Sequence, residues 1–276
     1  MTPSRKLKRI VAAIVTILVI MAAAVYSVID GRTAVLNFFS VGQGDSALIR
    51  KGSHEVLIDA GPDRTVLAKL GRAMPFFDRT IELAVLTHPH ADHFMGFLAV
   101  FERYRVQRIF VDGVENDTPE YHAFTDALRA SGAVVQIIHR GDRIDAGAGI
   151  HFDVLWSGAD DYSDDLNDDS IVLRLETPGG SALLMGDATA KVEQKLLAAG
   201  APLRADIIKV GHHGSRFSSG SEFLRAVRAE EAIVSVGKNH YGHPSYAALT
   251  RLKAAGSRVR RTDLDGDIKV RFNAAP

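Results

Sequence analysis

The 276-residue chain contains no cysteine. Disulfides and thiolate metal sites are therefore excluded, and any metal it binds is held by nitrogen and oxygen. Low-complexity tracts are absent too, and so is net charge: 33 Lys and Arg stand against 33 Asp and Glu. The charge is unevenly spread. Arg5, Lys6, Lys8 and Arg9 fall within the first ten residues, so the other 29 cations face all 33 acids, a balance of −4. That composition does not make a basic nucleic-acid clamp. Bound divalent metal would add local positive charge, which keeps a polyanionic substrate in play. The length suffices for one α/β domain with a substantial core.

Charge is also missing from Ile10 to Ile29, twenty consecutive residues. As a helix this run rises about 30 Å, the thickness of a bilayer core. The basic cluster before it places that end in the cytoplasm by the positive-inside rule. A cleaved signal peptide competes, with small residues at Ala22–Ala24 and Ser27, but the apolar run exceeds the usual signal core. The expectation is a single-pass anchor in the cytoplasmic membrane over residues 1–30 and one extracytoplasmic domain over residues 31–276.

Apolar runs broken by Gly-containing turns predict strands at Thr33–Val41, Ser46–Lys51, Glu55–Ala60, Ile81–Leu86, Gln107–Val111, Ala133–Ile138 and Ile150–Trp156. Further strands are expected at Ile171–Glu176, Ala182–Met185, Ala205–Val210, Ala232–Val236, Arg258–Arg261 and Asp267–Phe272. Helices are expected at Phe94–Tyr104, Pro119–Ala130, Thr189–Ala199, Ser221–Val227 and Ser245–Ala255. The pattern alone supports mixed α and β.

The densest chemistry is Thr87-His-Pro-His-Ala-Asp-His93, directly after the run Ile81–Leu86. Three of the chain's 11 His fall here. The spacing fits a turn that offers His88 and His90 to one divalent ion and Asp92 and His93 to a second. A merely His-rich polar loop is the alternative. Asp59 ends the apolar strand before Gly61, and Asp187 follows Ala182–Met185 behind Gly186. His212 and His213 sit between Gly211 and Gly214, and Tyr241-Gly-His-Pro-Ser245 follows Ala232–Val236. Gln43 and Asp45 lie in a Gly-bounded turn, which either lines the site or only turns the chain. Six Asp crowd Gly158–Ser170, most of them read as a solvated loop.

The His-x-His-x-Asp-His phrase resembles the first metal motif of the metallo-β-lactamase superfamily. Phe39–Ser46, Leu57–Gly61, Asn167–Ser170, Met185–Asp187, Lys209–Ser215, Tyr241–Ser245 and Arg261–Gly266 continue the series in order. Together they resemble the soluble hydrolase domain of ComEC competence proteins. The resemblance implies a four-layer α/β/β/α sandwich and two divalent ions, zinc or manganese. By it, His88 and His90 hold one ion, Asp92, His93 and His243 the other, Asp187 bridges, and Asp59 supports the loop without ligating. The last ligand is ambiguous among His212, His213 and His243. His243 is preferred for its distance from Asp187, which leaves His212 and His213 to contact substrate or leaving group. None of His122, His139 and His151 suits the additional ligand that many members have. Asn167, Asp168 and Asp169 are the oxygen candidates for that place, and an oxygen ligand favours manganese. The implied activity is phosphodiester hydrolysis, most directly of DNA outside the membrane. Phosphorylcholine esters, other small phosphodiesters, carbonyl esters and lactams are the alternatives. ComEC proteins carry a large multi-span channel and this chain has one apolar run, so transport would need a separate channel protein.

Overall fold

The computed structural model describes residues 5–30 and 33–273, with backbone alone at 7–8, 19–20 and 22–30. Helix α1 (Arg5–Asp30) covers the expected anchor. Much of the Ile10–Ile29 run lies outside the described side chains, and among the described residues no helix is long and apolar enough to cross a membrane.

The rest of the chain builds two seven-stranded sheets. The first holds β1 (Thr33–Phe38), β2 (Ser46–Lys51), β3 (His54–Ala60), β4 (Thr80–Val85), β5 (Arg105–Val111) and β6 (Val134–Ile137). The second holds β7 (Arg143–Gly147), β8 (Ile150–Trp156), β9 (Val172–Thr177), β10 (Gly180–Leu184), β11 (Ile207–Lys209), β12 (Glu231–Val234) and β13 (Arg258–Arg261). The last strand, β14 (Ile268–Asn273), crosses back to pair antiparallel with β1. Each sheet runs as an antiparallel meander that turns parallel, at β3–β4 in one and β10–β11 in the other.

Side-chain alternation along the strands builds the layers. Ile49, Val56, Ile58 and Leu184 pack between the sheets, with Phe38 and Phe152. Their chain neighbours Leu48 and Leu57 face outward against helices α2 (Thr65–Ala73), α3 (Ala91–Arg103) and α4 (Pro119–Ser131). Leu183 and Ile208 face outward in the second sheet, under α5 (Ala190–Ala198), α6 (Ser221–Val227) and α7 (Tyr246–Ala254). Consecutive strand residues point to opposite faces, so a strand buried on both sides reads as an unbroken apolar run. The short helix α8 (Thr262–Asp265) precedes β14. The expected α/β/β/α sandwich is therefore present.

Besides the single-turn α8, a helix and a strand escaped the sequence pattern. Helix α2 buries only Val66 and Leu70, one i,i+4 pair. Strand β7 buries Ile144 and Ala146 among exposed neighbours. Both are too short for a strong periodic signal.

Candidate metal centre

The chemistry collects where several strand ends meet. Asp59 closes β3, Thr87 and His88 follow β4, Asp187 follows β10, and His212 and His213 follow β11. The His-rich phrase is not all turn. His90 occupies the N-cap position of α3, and Asp92 and His93 lie in its first turn, where the helix dipole favours a carboxylate. Fully buried Phe94 and Phe97, each contributing about 1.5–3 kcal/mol, hold that turn in place.

Asp59 organises the loop. Its carboxylate accepts from the Thr87 backbone N–H and hydroxyl, both at 2.8 Å, and its Oδ2 lies 2.8 Å from His93 Nδ1. This leaves His93 Nε2 pointing into the cluster, buried and without a hydrogen-bond partner. Around that atom stand Asp187 Oδ2 at 3.6 Å and Asp92 Oδ2 at 3.9 Å. His213 closes the group: its Nδ1 is 2.8 Å from the Ser235 carbonyl, and its Nε2 is 3.2 Å from both Asp92 Oδ2 and Asp187 Oδ2. His88 is wholly buried, with its Nε2 3.0 Å from His90 Nδ1. Donor atoms of His88, His93 and Asp187, and of Asp92, His93 and His213, come close enough together to share an ion.

Three of the six non-glycine residues with positive φ among those described are Asp59, His212 and His213, at φ 55°, 48° and 49°. A left-handed backbone at such residues costs energy and persists where surrounding contacts enforce it. Gly44 serves a close approach instead: a Cβ there would meet the Asp92 carbonyl at 2.3 Å. Its absence lets the Asp45 N–H donate to that carbonyl at 3.3 Å.

The electrostatics describe a site built for cations. Burial pushes the Asp187 carboxyl up, but His213, His93 and Lys209 outweigh it and hold it well below the usual range. Burial pushes His93 down, but Asp187, Asp59 and Asp92 hold it well above its ordinary value. His88 goes the other way, kept low by burial and by His93. The protons that the His93 and His213 imidazoles draw among converging carboxylates supply positive charge where a divalent ion would otherwise supply it. Together with the orphaned His93 Nε2, this donor set fits metal.

The structure departs from the expected site in three respects. Like His90, His243 joins none of the metal-competent groups among the described residues. It lines the cleft beside His212, with ring centroids 5.2 Å apart, and both rings have an unpartnered Nδ1. His213, expected to contact substrate, instead points inward, with its Nδ1 against the carbonyl of Ser235 just past β12. Asp168 and Asp169 are engaged away from the cluster: Asp168 pairs with Thr189 and Lys191, and Asp169 accepts from the Ser163 N–H. Asn167 and Gln43 do line the cleft. Asp45 is buried and paired with Lys209, 3.4 Å from His213.

Lys209 was missed, although a lysine inside the apolar run Ile207–Val210 was a visible signal. Its buried ammonium donates to the Gly186 carbonyl at 2.8 Å, pairs with Asp45 and lies 3.5 Å from Asp187 Oδ1. It fixes the turn that presents Asp187. Ser170 does the same from the other side, its Oγ accepting from the Asp187 N–H at 2.9 Å. Above the cluster opens a cleft of about 620 Å³, whose rim includes Lys238, Asn239 and Tyr241.

The comparisons with known proteins agree with this geometry. ComE operon protein 3 of Bacillus subtilis is 30% identical over 256 residues, 86% of this chain and 33% of that protein. Competence protein ComA of Neisseria gonorrhoeae is 32% identical over 242 residues, 86% of this chain and 32% of that protein. The chain thus spans about a third of the length of these curated relatives. In structure it is similar to the metallo-β-lactamase fold protein YhfI from Bacillus subtilis. The TM-score is 0.60 at 12% identity, covering 86% of this chain and all of that one. The family model of the metallo-β-lactamase superfamily matches residues 40–238, from the turn before Gln43 to the rim of the cleft. With the strand-end ligands, the two sheets and that match in agreement, the chain belongs to the metallo-β-lactamase superfamily.

Proposed function

We propose that this chain is a dinuclear metal-dependent phosphodiesterase that cuts DNA on the outer side of the cytoplasmic membrane, tethered there by its N-terminal helix and serving a separate channel protein. The observation that carries the reading is the convergence of Asp92, His93, His213 and Asp187 beside His88 and His90 on the floor of an open cleft. Similarity to a relative named for competence supports the choice of DNA over other diesters.

In this reading His88 and His90 would hold one zinc or manganese ion and Asp92, His93 and His213 the other, with Asp187 close enough to serve either. When bound, the ions supply Lewis acidity and activate water. The chain's own groups do the rest. Asp59 fixes His93, and Lys209 fixes Asp187 and Asp45. Burial holds both His212 and His243 below the ordinary histidine range. As neutral rings at the cleft wall, they donate N–H to a phosphate oxygen and steady the departing oxygen.

The test offers the full-length protein, with zinc or manganese, single- and double-stranded DNA, bis(4-nitrophenyl) phosphate and nitrocefin. Cleavage of DNA and of the aryl diester, sparing of nitrocefin and loss of both activities in Asp92→Ala are expected. Intact DNA under either metal, with the small diester hydrolysed, replaces this reading with a small-phosphodiester hydrolase.

A further inference from the structure

A second groove of about 520 Å³ opens from the metal cleft, sharing His212, Tyr241 and His243 with it and reaching Arg216 and Phe217. Phe217 is 62% exposed and Tyr241 76%. Lone exposed aromatics are ordinary. These two line one concavity that runs into the site, and the Arg216 guanidinium sits 4.7 Å over the Phe217 ring centroid. Arg216 has no carboxylate partner among the described residues.

The loop that carries them is held with unusual thoroughness. The Phe217 carbonyl accepts from the Ala190 N–H at 2.8 Å, and Ser218 Oγ donates to the Gly211 carbonyl at 2.7 Å. Buried Glu193 accepts from the N–H groups of Ser219 and Gly220. Arg251 donates to the carbonyls of Arg216, Ser218 and Ser219. An element so braced, yet presenting an exposed aromatic ring with a cation on it, is a preorganised contact surface: little entropy is lost when a ligand settles on it.

We propose that this groove is a base-stacking subsite, in which an unpaired nucleobase beside the scissile phosphate lies on Phe217 while Arg216 meets the flanking phosphate. Any base offers a ring face to such a platform, and a cation tracks the backbone. A paired base is already stacked within its duplex, so the subsite selects single strands. The catalytic arm of its test rests on the phosphodiesterase reading above; the binding arm does not.

The full-length protein and its Phe217→Ala, Phe217→Trp and Arg216→Gln variants are compared. Binding of a fluorescein-labelled oligothymidylate is followed by anisotropy without metal. Turnover of the same strand and of methyl 4-nitrophenyl phosphate is measured with manganese. In Phe217→Ala, binding weakens about tenfold, near the lower end of the range for losing one stacked base. kcat/KM for the strand falls by a similar factor relative to the small diester, and Phe217→Trp restores both. An abasic strand binds wild type and Phe217→Ala alike, and Arg216→Gln flattens the salt dependence of binding. The proposal is overturned if Phe217→Ala binds the strand as wild type does, or if abasic and base-bearing strands bind wild type equally. Failure to turn over either diester while the binding pattern holds removes the phosphodiesterase reading and leaves the subsite standing.

Discussion

Four buried or half-buried carboxylates, Asp45, Asp59, Asp92 and Asp187, converge on His93, His213 and Lys209. Burying charges without compensation costs several kcal/mol per ion, so this arrangement persists because each charge has a counterpart. His213 and His243 divide accordingly. His213→Ala removes a ring 3.2 Å from two carboxylates, and we expect it to weaken binding of one divalent ion at least 10-fold, the scale for disturbing a metal's immediate environment. His243→Ala leaves affinity within about threefold and lowers kcat, since its ring reaches the cleft alone. Competitive titration with a chromophoric chelator distinguishes the two, and equal loss in both variants would refute the assignment. Asp112 provides a pH test. It is almost wholly buried, and burial pushes its carboxyl up to about 8. Its raised pKa means the folded chain binds more protons than the unfolded one from about pH 4 to 8, so this group's contribution to stability declines as pH rises through that window. Asp112→Asn keeps the acceptor for the Val114 N–H and should raise stability at pH 8 by more than about 1 kcal/mol, with little gain at pH 4. Urea unfolding across that range measures it. Most of these residues were legible because each stands at a strand end in a short phrase. The choice of His213 over His243 was not, because it depends on two left-handed residues that spacing cannot reveal.

Helix α3 is the element on which the site depends most. It delivers Asp92 and His93 from its first turn while its body crosses the end of β3. Gly96 permits that crossing: its N–H donates to the Gly61 carbonyl at 2.9 Å, and a Cβ there would lie 2.0 Å from the Ala60 carbonyl oxygen. The helix must therefore shift in Gly96→Ala. We expect a loss of about 1–3 kcal/mol, the usual penalty for overpacking, accompanied by weaker metal binding because the first turn moves too. The fluorescence of Trp156, the sole tryptophan, reports the unfolding, and unchanged stability would show that α3 tolerates displacement. The start of this helix was read three residues late, at Phe94 instead of Ala91. A phrase dense in ligands looks like a turn, although its second half is helical. Strands buried on both faces, such as β3, were legible, whereas β7, where one residue in two faces water, was not.

At the scale of the molecule, the candidate metal residues follow strands of both sheets: His88, Asp92 and His93 from the first half, Asp187 and His213 from the second. Divalent ions held between the halves stabilise only the folded state. At 100 times the dissociation constant that stabilisation is about 2.7 kcal/mol, roughly 5–10 °C in Tm for a domain of this size. Chelation by EDTA should lower Tm by that amount, and by much less in Asp92→Ala; scanning calorimetry decides. Layer architecture could not be read from periodicity, because an apolar run does not say which partner covers each face. The crossing of β14 to the first sheet was equally hidden, since it joins residues 240 apart, Thr33 and Asn273.

That last pairing has a mechanical outcome. Entry to the domain at Thr33 and exit at Asn273 lie side by side, at the end of β1 away from Phe38. Phe38 is level with Ala47 in the next strand, where β2 and β3 lead to Asp59. Whatever polypeptide joins on at either side leaves from one corner, so the fold can hang as a pendant from a single stalk. Its mouth then opens at the far pole, clear of the points where the chain enters and leaves the domain.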